Sequence, residues 1–164
     1  MSIFAGTAIS LVDKDRRCAF PKCFRKALDS TVDGEDFLIA PLNDKDGKYL
    51  KLYTETEWKR FEDNVRRMAD EARMDFDNPS STKALMIEKQ VAEVKGRGCM
   101  AALDKNNRIT LTDYLLEWIG LDKKGEIVFM ASTGKTLRLI AKADYQDPTS
   151  IDPEDLIDVS RFMG

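Results

Sequence analysis

Residues 9–28 read ISLVDKDRRCAFPKCFRKAL, and residues 100–121 read MAALDKNNRITLTDYLLEWIGL. When the two stretches are aligned on their Asp-Lys pairs, Asp13 falls on Asp104 and Arg17 on Arg108, both 91 residues apart. A second pair follows in the same order, KYLKLYTETEW from Lys48 and KTLRLIAKADY from Lys135. Two matched blocks in one order within 164 residues indicate an internal duplication.

Each repeat is predicted to hold two pairs of strands and one short helix. In the first repeat, apolar runs at residues 9–12 and 17–20 flank four polar residues, which predicts a β-hairpin. Pro21 then stands at the first position of a short helix, where Pro is favoured. The other predicted elements are strands at 37–40, 49–53, 127–131 and 136–141, a second hairpin, and a second short helix from Asp113.

The segment between the repeats is predicted to form two helices. Apolar side chains recur every three or four residues from Trp58 to Phe76, which is typical of a long amphipathic helix. Asn78-Pro79 predicts a break, and a second helix is predicted at residues 82–94. We expect these helices to cover the apolar face of the sheets.

One repeat of about 45 residues is too small to bury a stable core by itself. The two copies are therefore predicted to pack as a pseudo-dimer that shares one small β core. Open edge strands in so small a unit favour further association, so we expect a homo-oligomer.

The composition narrows the classes of function. The chain has 26 Lys or Arg, 29 Asp or Glu and no His, with a formal net charge of −3. Without His, a Ser-His-Asp triad, a Cys-His pair and a His-ligated metal are excluded within this chain. Cys18, Cys23 and Cys99 lack paired zinc-ligand spacing and are interpreted as free thiols in a reducing compartment. We expect no enzymatic activity, no metal and no cofactor.

One short run imitates a nucleotide-binding loop. Ser132-Thr-Gly-Lys-Thr136 follows an apolar strand, but the P-loop pattern requires Gly where Phe129 stands. The run also falls at the position of a hairpin turn in the duplicate. We interpret it as a turn.

The charges are unevenly distributed along the chain. Residues 144–164 carry six acids and one base, which leaves residues 1–143 with 25 bases and 23 acids. Within residues 13–26, six bases stand against two acids, so a basic patch is concentrated in a nearly neutral body. The six bases are Lys14, Arg16, Arg17, Lys22, Arg25 and Lys26.

The repeated unit resembles a known DNA-binding fold. Asp-x-x-x-Arg, an alternating strand, then Pro and a short helix bearing Arg resemble the AbrB/SpoVT-type swapped-hairpin fold. Two such copies with a helical insert between them resemble the MraZ family. The stretches that carry this resemblance are Gly6-Thr-Ala-Ile-Ser, Leu50-Lys-Leu-Tyr53, Glu57-Trp58, Leu103-Asp104, Arg108 and residues 115–121.

The resemblance implies an α+β fold. Two swapped-hairpin repeats would form a small β-barrel-like pseudo-dimer with a two-helix insert and an acidic C-terminal helix. The implied units are a first repeat at 4–58, the insert at 59–95, a second repeat at 96–146 and an acidic tail at 147–164.

The resemblance also implies a function. MraZ-like proteins are sequence-specific transcriptional regulators of the bacterial division and cell-wall gene cluster, cytoplasmic and nucleoid-associated. They bind double-stranded promoter DNA with tandem repeats as ring-like oligomers, here expected to have eight or more subunits. No membrane partner is expected, because the chain has no apolar run long enough to span a bilayer and no secretion signal.

The loop arginines and their basic neighbours are the implied DNA-binding residues. Arg17 has two interpretations, an ion pair that closes its loop or a contact to DNA. Asp13 and Asp104 are expected to structure the loops by accepting hydrogen bonds from following backbone N–H groups. The DNA-binding set is Lys14, Arg16, Arg17, Lys22, Arg25, Lys26, Lys105 and Arg108.

Several residues depart from the family pattern. Arg16 and Asn107 stand where the family usually has Gly before the motif Arg. A left-handed backbone at this position would cost Arg about 1 kcal/mol. Thr112, Leu116 and Ile140 replace a Pro, an Arg and an aromatic residue. Since the second copy has drifted further, we expect the first copy to dominate DNA contact.

The sequence has a second interpretation. It could be an oligomeric scaffold or partner-binding protein whose loops have lost their affinity for DNA. The acidic tail likewise has two interpretations, a helix packed on the body or a competitor with DNA for the basic loops.

Overall fold

The computed structural model describes residues 3–29, 31, 33, 36–74, 82–121 and 125–146. The strands and helices of the first repeat appear in the predicted order and are mostly longer than the prediction. Phe76, Asn78-Pro79 and the acidic tail lie outside the described residues. The first-repeat elements are β1 (Thr7–Val12), β2 (Arg17–Ala19), α1 (Lys22–Arg25), β3 (Asp36–Asp44) and β4 (Gly47–Thr54).

The insert and the second repeat follow. Thr54 caps the first insert helix by accepting a hydrogen bond from Glu57 N at 3.2 Å. Thr112 caps the short helix of the second repeat in the same way, through Leu115 N at 3.3 Å. These elements are α2 (Glu55–Arg73), α3 (Thr82–Arg97), β5 (Cys99–Ala102), β6 (Arg108–Thr110), α4 (Asp113–Trp118), β7 (Gly125–Ala131) and β8 (Thr136–Ala141).

The strands form one six-stranded antiparallel sheet and one two-stranded ribbon. The order in the sheet is β1-β7-β8-β4-β3-β5, and the ribbon pairs β2 with β6. Thus β1 of the first repeat pairs with β7 of the second, and β5 of the second pairs with β3 of the first. The protein is α+β, and the two repeats exchange their leading strands.

This exchange corrects the predicted hairpins. The strands at 9–12 and 17–20 were expected to pair with each other, yet β1 pairs with β7 over Thr7–Val12 and β2 pairs with β6. Two hydrogen bonds still join β1 to β2: Asp13 N donates to Arg17 O at 2.9 Å at the turn, and Ser10 Oγ donates to Ala19 O at 2.9 Å between the strands. The apolar alternation identifies strands, but it does not identify their partners.

One core lies between the sheet and the ribbon. Cys18 and Ile109, equivalent in the duplication, face each other in the ribbon and are both buried. Only residues near a pseudo-two-fold axis face their own equivalents, so the axis passes between them. Phe20 is at the centre, in ring contact with Phe4, Phe24, Phe37 and Phe129. Residues from both halves of the chain contribute to the same buried cluster.

The insert helices cover the sheet only near the start of α2 and the end of α3. Trp58 packs with Tyr53 and Leu38, and Phe61 and Val94 join this second apolar cluster. Farther along, four apolar side chains are exposed, so the predicted covering role holds for part of the insert. The exposed residues are Met68, Met74, Leu85 and Met86. Among the described residues, no helix is long and apolar enough to cross a bilayer.

Candidate functional site

Residues 13–16, here called loop 1, are organised by the Asp13 carboxylate. Its Oδ1 accepts hydrogen bonds from Asp15 N at 2.8 Å and Arg17 N at 3.0 Å. Its Oδ2 accepts one from Arg17 Nε at 3.2 Å. The carboxylate therefore ties the turn to the first residue of β2 through both backbone and side chain.

Residues 104–107, here called loop 2, repeat this geometry. Asp104 Oδ1 accepts from Asn106 N at 2.8 Å and Arg108 N at 2.9 Å, and Oδ2 accepts from Arg108 Nε at 3.1 Å. The agreement of the two loops atom by atom means that the Asp-x-x-x-Arg pattern specifies one local structure. Each Arg is held at the start of a ribbon strand with its side chain about one-third exposed.

The two loop carboxyl groups have lowered pKa values. The main cause is the backbone N–H of Arg17 for Asp13 and of Arg108 for Asp104, because these donors favour the charged carboxylate. The adjacent guanidinium groups act in the same direction. Both loops are therefore built around an ionised Asp.

The residue before each motif Arg has a left-handed backbone. Arg16 has φ 64° and Asn107 has φ 59°, and the backbone hydrogen bonds of the two loops match. Arg16 therefore adopts the left-handed backbone that is costly for a residue other than glycine. An Asn tolerates this conformation more readily than an Arg.

Arg16 and Arg17 are both paired with acids. Arg17 Nη2 lies 3.0 Å from Asp15 Oδ2, in addition to its contact with Asp13. Arg16 Nη1 lies 2.9 Å from Oδ2 of Asp113, the first residue of α4. Lys14, Asp15, Arg16 and Asp113 together line a surface hollow of about 280 Å³.

The predicted basic residues lie at opposite ends of the β2–β6 ribbon. Leu111 N donates to Arg16 O at 2.8 Å, which brings loop 1 beside the start of α4. Phe20 N donates to Asn107 O at 2.9 Å, which brings loop 2 beside the start of α1. The end that carries Lys105 and Arg108, rather than loop 1, therefore also holds Lys22 and Arg25 of α1 and Lys26, the residue that follows α1.

The side chains of α1 differ in exposure. Lys22 and Lys26 are exposed, whereas Arg25 is partly buried. Arg25 Nε is buried and has no hydrogen-bond partner within the part of the chain that the structure describes. Lys22 and Lys26 are thus the α1 bases best exposed to a ligand.

The run Ser132–Thr136 forms the turn between β7 and β8. Ser132 N donates to Thr136 O at 3.1 Å, and Thr136 N donates to Thr133 O at 3.2 Å. The Lys135 ammonium is buried and paired with the Asp33 carboxylate. A lysine held in this way does not reach a phosphate, which agrees with the interpretation of the run as a turn.

Comparison with known proteins gives one informative similarity. The "Transcriptional regulator MraZ" of Koribacter versatilis (strain Ellin345) is 28% identical over 131 residues, which cover 78% of this chain and 76% of that protein. This similarity supports membership of the MraZ family. No protein-family model matches the chain.

The sequence analysis did not identify Asp113 as a residue of the candidate site. In the duplication this residue is the equivalent of Lys22, so the two short helices begin with opposite charges. This difference in charge is visible when the two repeats are aligned. The contact of Asp113 with Arg16 arises only from the ribbon pairing, which the sequence of one repeat does not reveal.

Proposed function

We propose that this protein is a DNA-binding transcriptional regulator that uses the two loops and the adjacent helix α1 to hold duplex DNA. The observation that carries this proposal is the atom-for-atom repetition of a rigid Asp-Arg loop at both ends of the ribbon, with lysines exposed nearby. The similarity to a protein named as a transcriptional regulator supports it.

The finer proposal follows the resemblance to the MraZ family. The DNA would be promoter DNA with short tandem repeats in the division and cell-wall gene cluster, and the protein would act in the cytoplasm at the nucleoid. The exchange of strands between the repeats is what a pair of AbrB/SpoVT-like swapped hairpins would produce. The chain would then consist of repeat units at 4–58 and 96–146, which are joined by the insert and followed by the acidic tail.

Both edges of the sheet favour further assembly. On the edge strand β1, Ile9 and Leu11 are 51% and 67% exposed, and on the opposite edge strand β5, Met100 is 59% exposed. Exposed apolar side chains beside unpaired strand edges are typical of association sites. We propose a ring-like homo-oligomer of eight or more subunits, whose mass light scattering would measure directly.

Oligomerisation would give tight DNA binding from loops that each bind DNA weakly. One loop offers few phosphate contacts, and each contributes through the release of counterions. Linking many loops raises the effective concentration of each after the first has bound. Affinity should therefore rise steeply with the number of DNA repeats and fall with salt.

Fluorescence anisotropy across a salt series tests the proposal. Wild type, Arg17→Ala and Arg108→Ala are compared on promoter duplexes with one to four repeats, and Arg66→Ala on the exposed surface of α2 is the control. The loop backbone should survive these substitutions, because Asp13 and Asp104 also accept from backbone N–H groups. We expect Arg108→Ala to weaken binding about tenfold at low salt and Arg17→Ala to weaken it measurably. Binding equal to that of wild type in both would overturn the loop assignment.

A second candidate function is that of an oligomeric scaffold without DNA affinity. The observation that favours it is the pairing of both loop arginines with acids of their own loops. Absence of wild-type binding at the lowest salt concentration would select this alternative.

A further inference from the structure

The two ends of the ribbon combine parts of different repeats. The first end consists of loop 1 from the first repeat and α4 from the second, joined by Leu111 N to Arg16 O and by Arg16 to Asp113. The second end consists of loop 2 from the second repeat and α1 from the first, joined by Phe20 N to Asn107 O. The crossing follows from the antiparallel register of β2 and β6, in which Ala19 lies opposite Arg108 and Arg17 opposite Thr110.

This crossing separates the charges strongly. At the first end, residues 13–17 together with α4 hold three bases and four acids, a net charge of −1. At the second end, residues 104–108 together with residues 22–26 hold five bases and one acid, a net charge of +4. Among the described residues, Glu126 lies opposite Leu11 and is paired with Lys142 at 3.0 Å, and Asp36 lies opposite Ala102. The second end remains the more basic of the two.

Asp113 is the residue that most directly neutralises the first end. Its carboxylate holds Arg16 at 2.9 Å, in a pair that is exposed on both sides. A phosphate approaching loop 1 would meet the negative charge of Asp113 and would have to replace it as the partner of Arg16. At the equivalent position of the second end stands Lys22, which attracts the same phosphate.

From these contacts and charges we infer that the two ends bind DNA unequally. The second end is the principal DNA-binding surface, and Asp113 weakens DNA binding at the first end. This inference rests on the proposed DNA-binding function and assigns the leading role to residues of both repeats. It replaces the expectation that the first repeat dominates DNA contact. The surface is made of Lys22, Lys26, Lys105 and Arg108, with Arg25 beneath.

Matched substitutions at the two ends test the inference. Lys22→Gln and Lys26→Gln each remove a positive charge from the second end, and Lys14→Gln removes one from the first. Asp113→Asn removes the negative charge that weakens DNA binding at the first end. Asp63→Asn is the control, because Asp63 is an exposed acid near an Arg on α2. All these side chains are exposed, and the thermal midpoint of each variant is measured to confirm folding.

The expected order of affinities is specific. At low salt, Lys22→Gln and Lys26→Gln should each bind about fivefold or more weakly than wild type and should each lose about one from the salt slope. Lys14→Gln should lose less than about threefold, and Asp113→Asn should bind about threefold more tightly, with Asp63→Asn unchanged. A loss in Lys14→Gln as great as the loss in Lys22→Gln would overturn the inference, as would an Asp113→Asn variant that behaves like Asp63→Asn.

A chemical footprint gives an independent readout. Cys23 is exposed on α1, between Lys22 and Arg25, whereas Cys99 is partly buried at the start of β5, opposite Ile39. Saturating duplex DNA should slow the alkylation of Cys23 at least about fivefold and leave Cys99 unchanged. Equal rates at Cys23 with and without bound DNA would contradict the inference. If wild type binds no DNA at all, it is the proposed function that fails; binding with the opposite order of variants rejects the inference alone.

Discussion

Arg16 and Asn107 are equivalent residues of the duplication and share a left-handed backbone, at φ 64° and φ 59°. Because the backbones of both loops make the same hydrogen bonds, the two positions differ in side chain rather than in backbone. An Arg pays more for this conformation than an Asn does, so the two loops are unequal in strain.

Replacing Arg16 with Gly should stabilise the protein. Gly adopts positive φ without a steric penalty, so Arg16→Gly should raise the free energy of unfolding by about 1 kcal/mol. The exposed pair with Asp113 is lost, but a pair of this kind contributes little. Urea unfolding measures the change, with Lys14→Gly as the control. A lower midpoint in Arg16→Gly than in wild type would contradict the strain assigned to Arg16.

The buried pair of Lys135 and Asp33 should be essential for stability. Both side chains are at least nine-tenths buried, and Asp33 Oδ2 also accepts from Asp29 N at 2.7 Å. Lys135→Met leaves a buried carboxylate without its cation, which should cost about 3–5 kcal/mol. Lys142→Met, which breaks an exposed pair with Glu126, should cost less than about 1 kcal/mol. Similar losses in both variants would show that burial of the pair is not what matters.

Acid should destabilise the protein partly through the two loop carboxylates. Their pKa values in the folded state are lowered from the ordinary value of 3.8. Their contribution is therefore fully present above that value and is lost as the pH falls through the folded pKa. In Asp13→Asn/Asp104→Asn the side-chain oxygens can still accept from the backbone, but the charges are gone. The fall in unfolding free energy below about pH 4 should be shallower in this variant than in wild type. Identical slopes would reject the assignment.

The three thiols should react with a disulfide reagent at widely different rates. Burial raises the pKa of Cys18 to about 12, with the nearby Asp13 charge adding to the effect. At pH 8 its thiolate fraction is on the order of 10⁻⁴, so Cys18 should stay unmodified until the protein unfolds. Exposed Cys23 should react first, and Cys23→Ser should remove this fast phase. Rapid modification of all three thiols under native conditions would contradict the packing of Cys18.

The sequence predicts local structure well where the pattern itself sets it. The Asp-x-x-x-Arg loops, the turn at 132–136 and the strands of both repeats follow from short-range hydrogen bonding and alternation. The pairing of Thr7 with Met130 does not, because strand partners this distant are chosen by the shape of the shared core. The same applies to the site: its bases are evident in the sequence, but their division between two ends depends on the ribbon register.

The insert shows a different limit of sequence reasoning. An amphipathic period identifies α2, but it does not tell where along the helix the apolar face stops being covered. Trp58 is buried, whereas Met68, ten residues farther along the same predicted face, is 54% exposed. The extent of cover is set by the length of the sheet beneath, which is a property of the assembled fold.

The exchange of strands also has a consequence for synthesis on the ribosome. Strand β1 is synthesised before its partner β7, which follows more than a hundred residues later. At 5–20 residues per second, β1 waits roughly 5–20 s for that partner. During this interval the nascent first repeat exposes β1 and the apolar residues around Phe20. A chaperone that shelters nascent chains would therefore act on this protein in the time between its two halves.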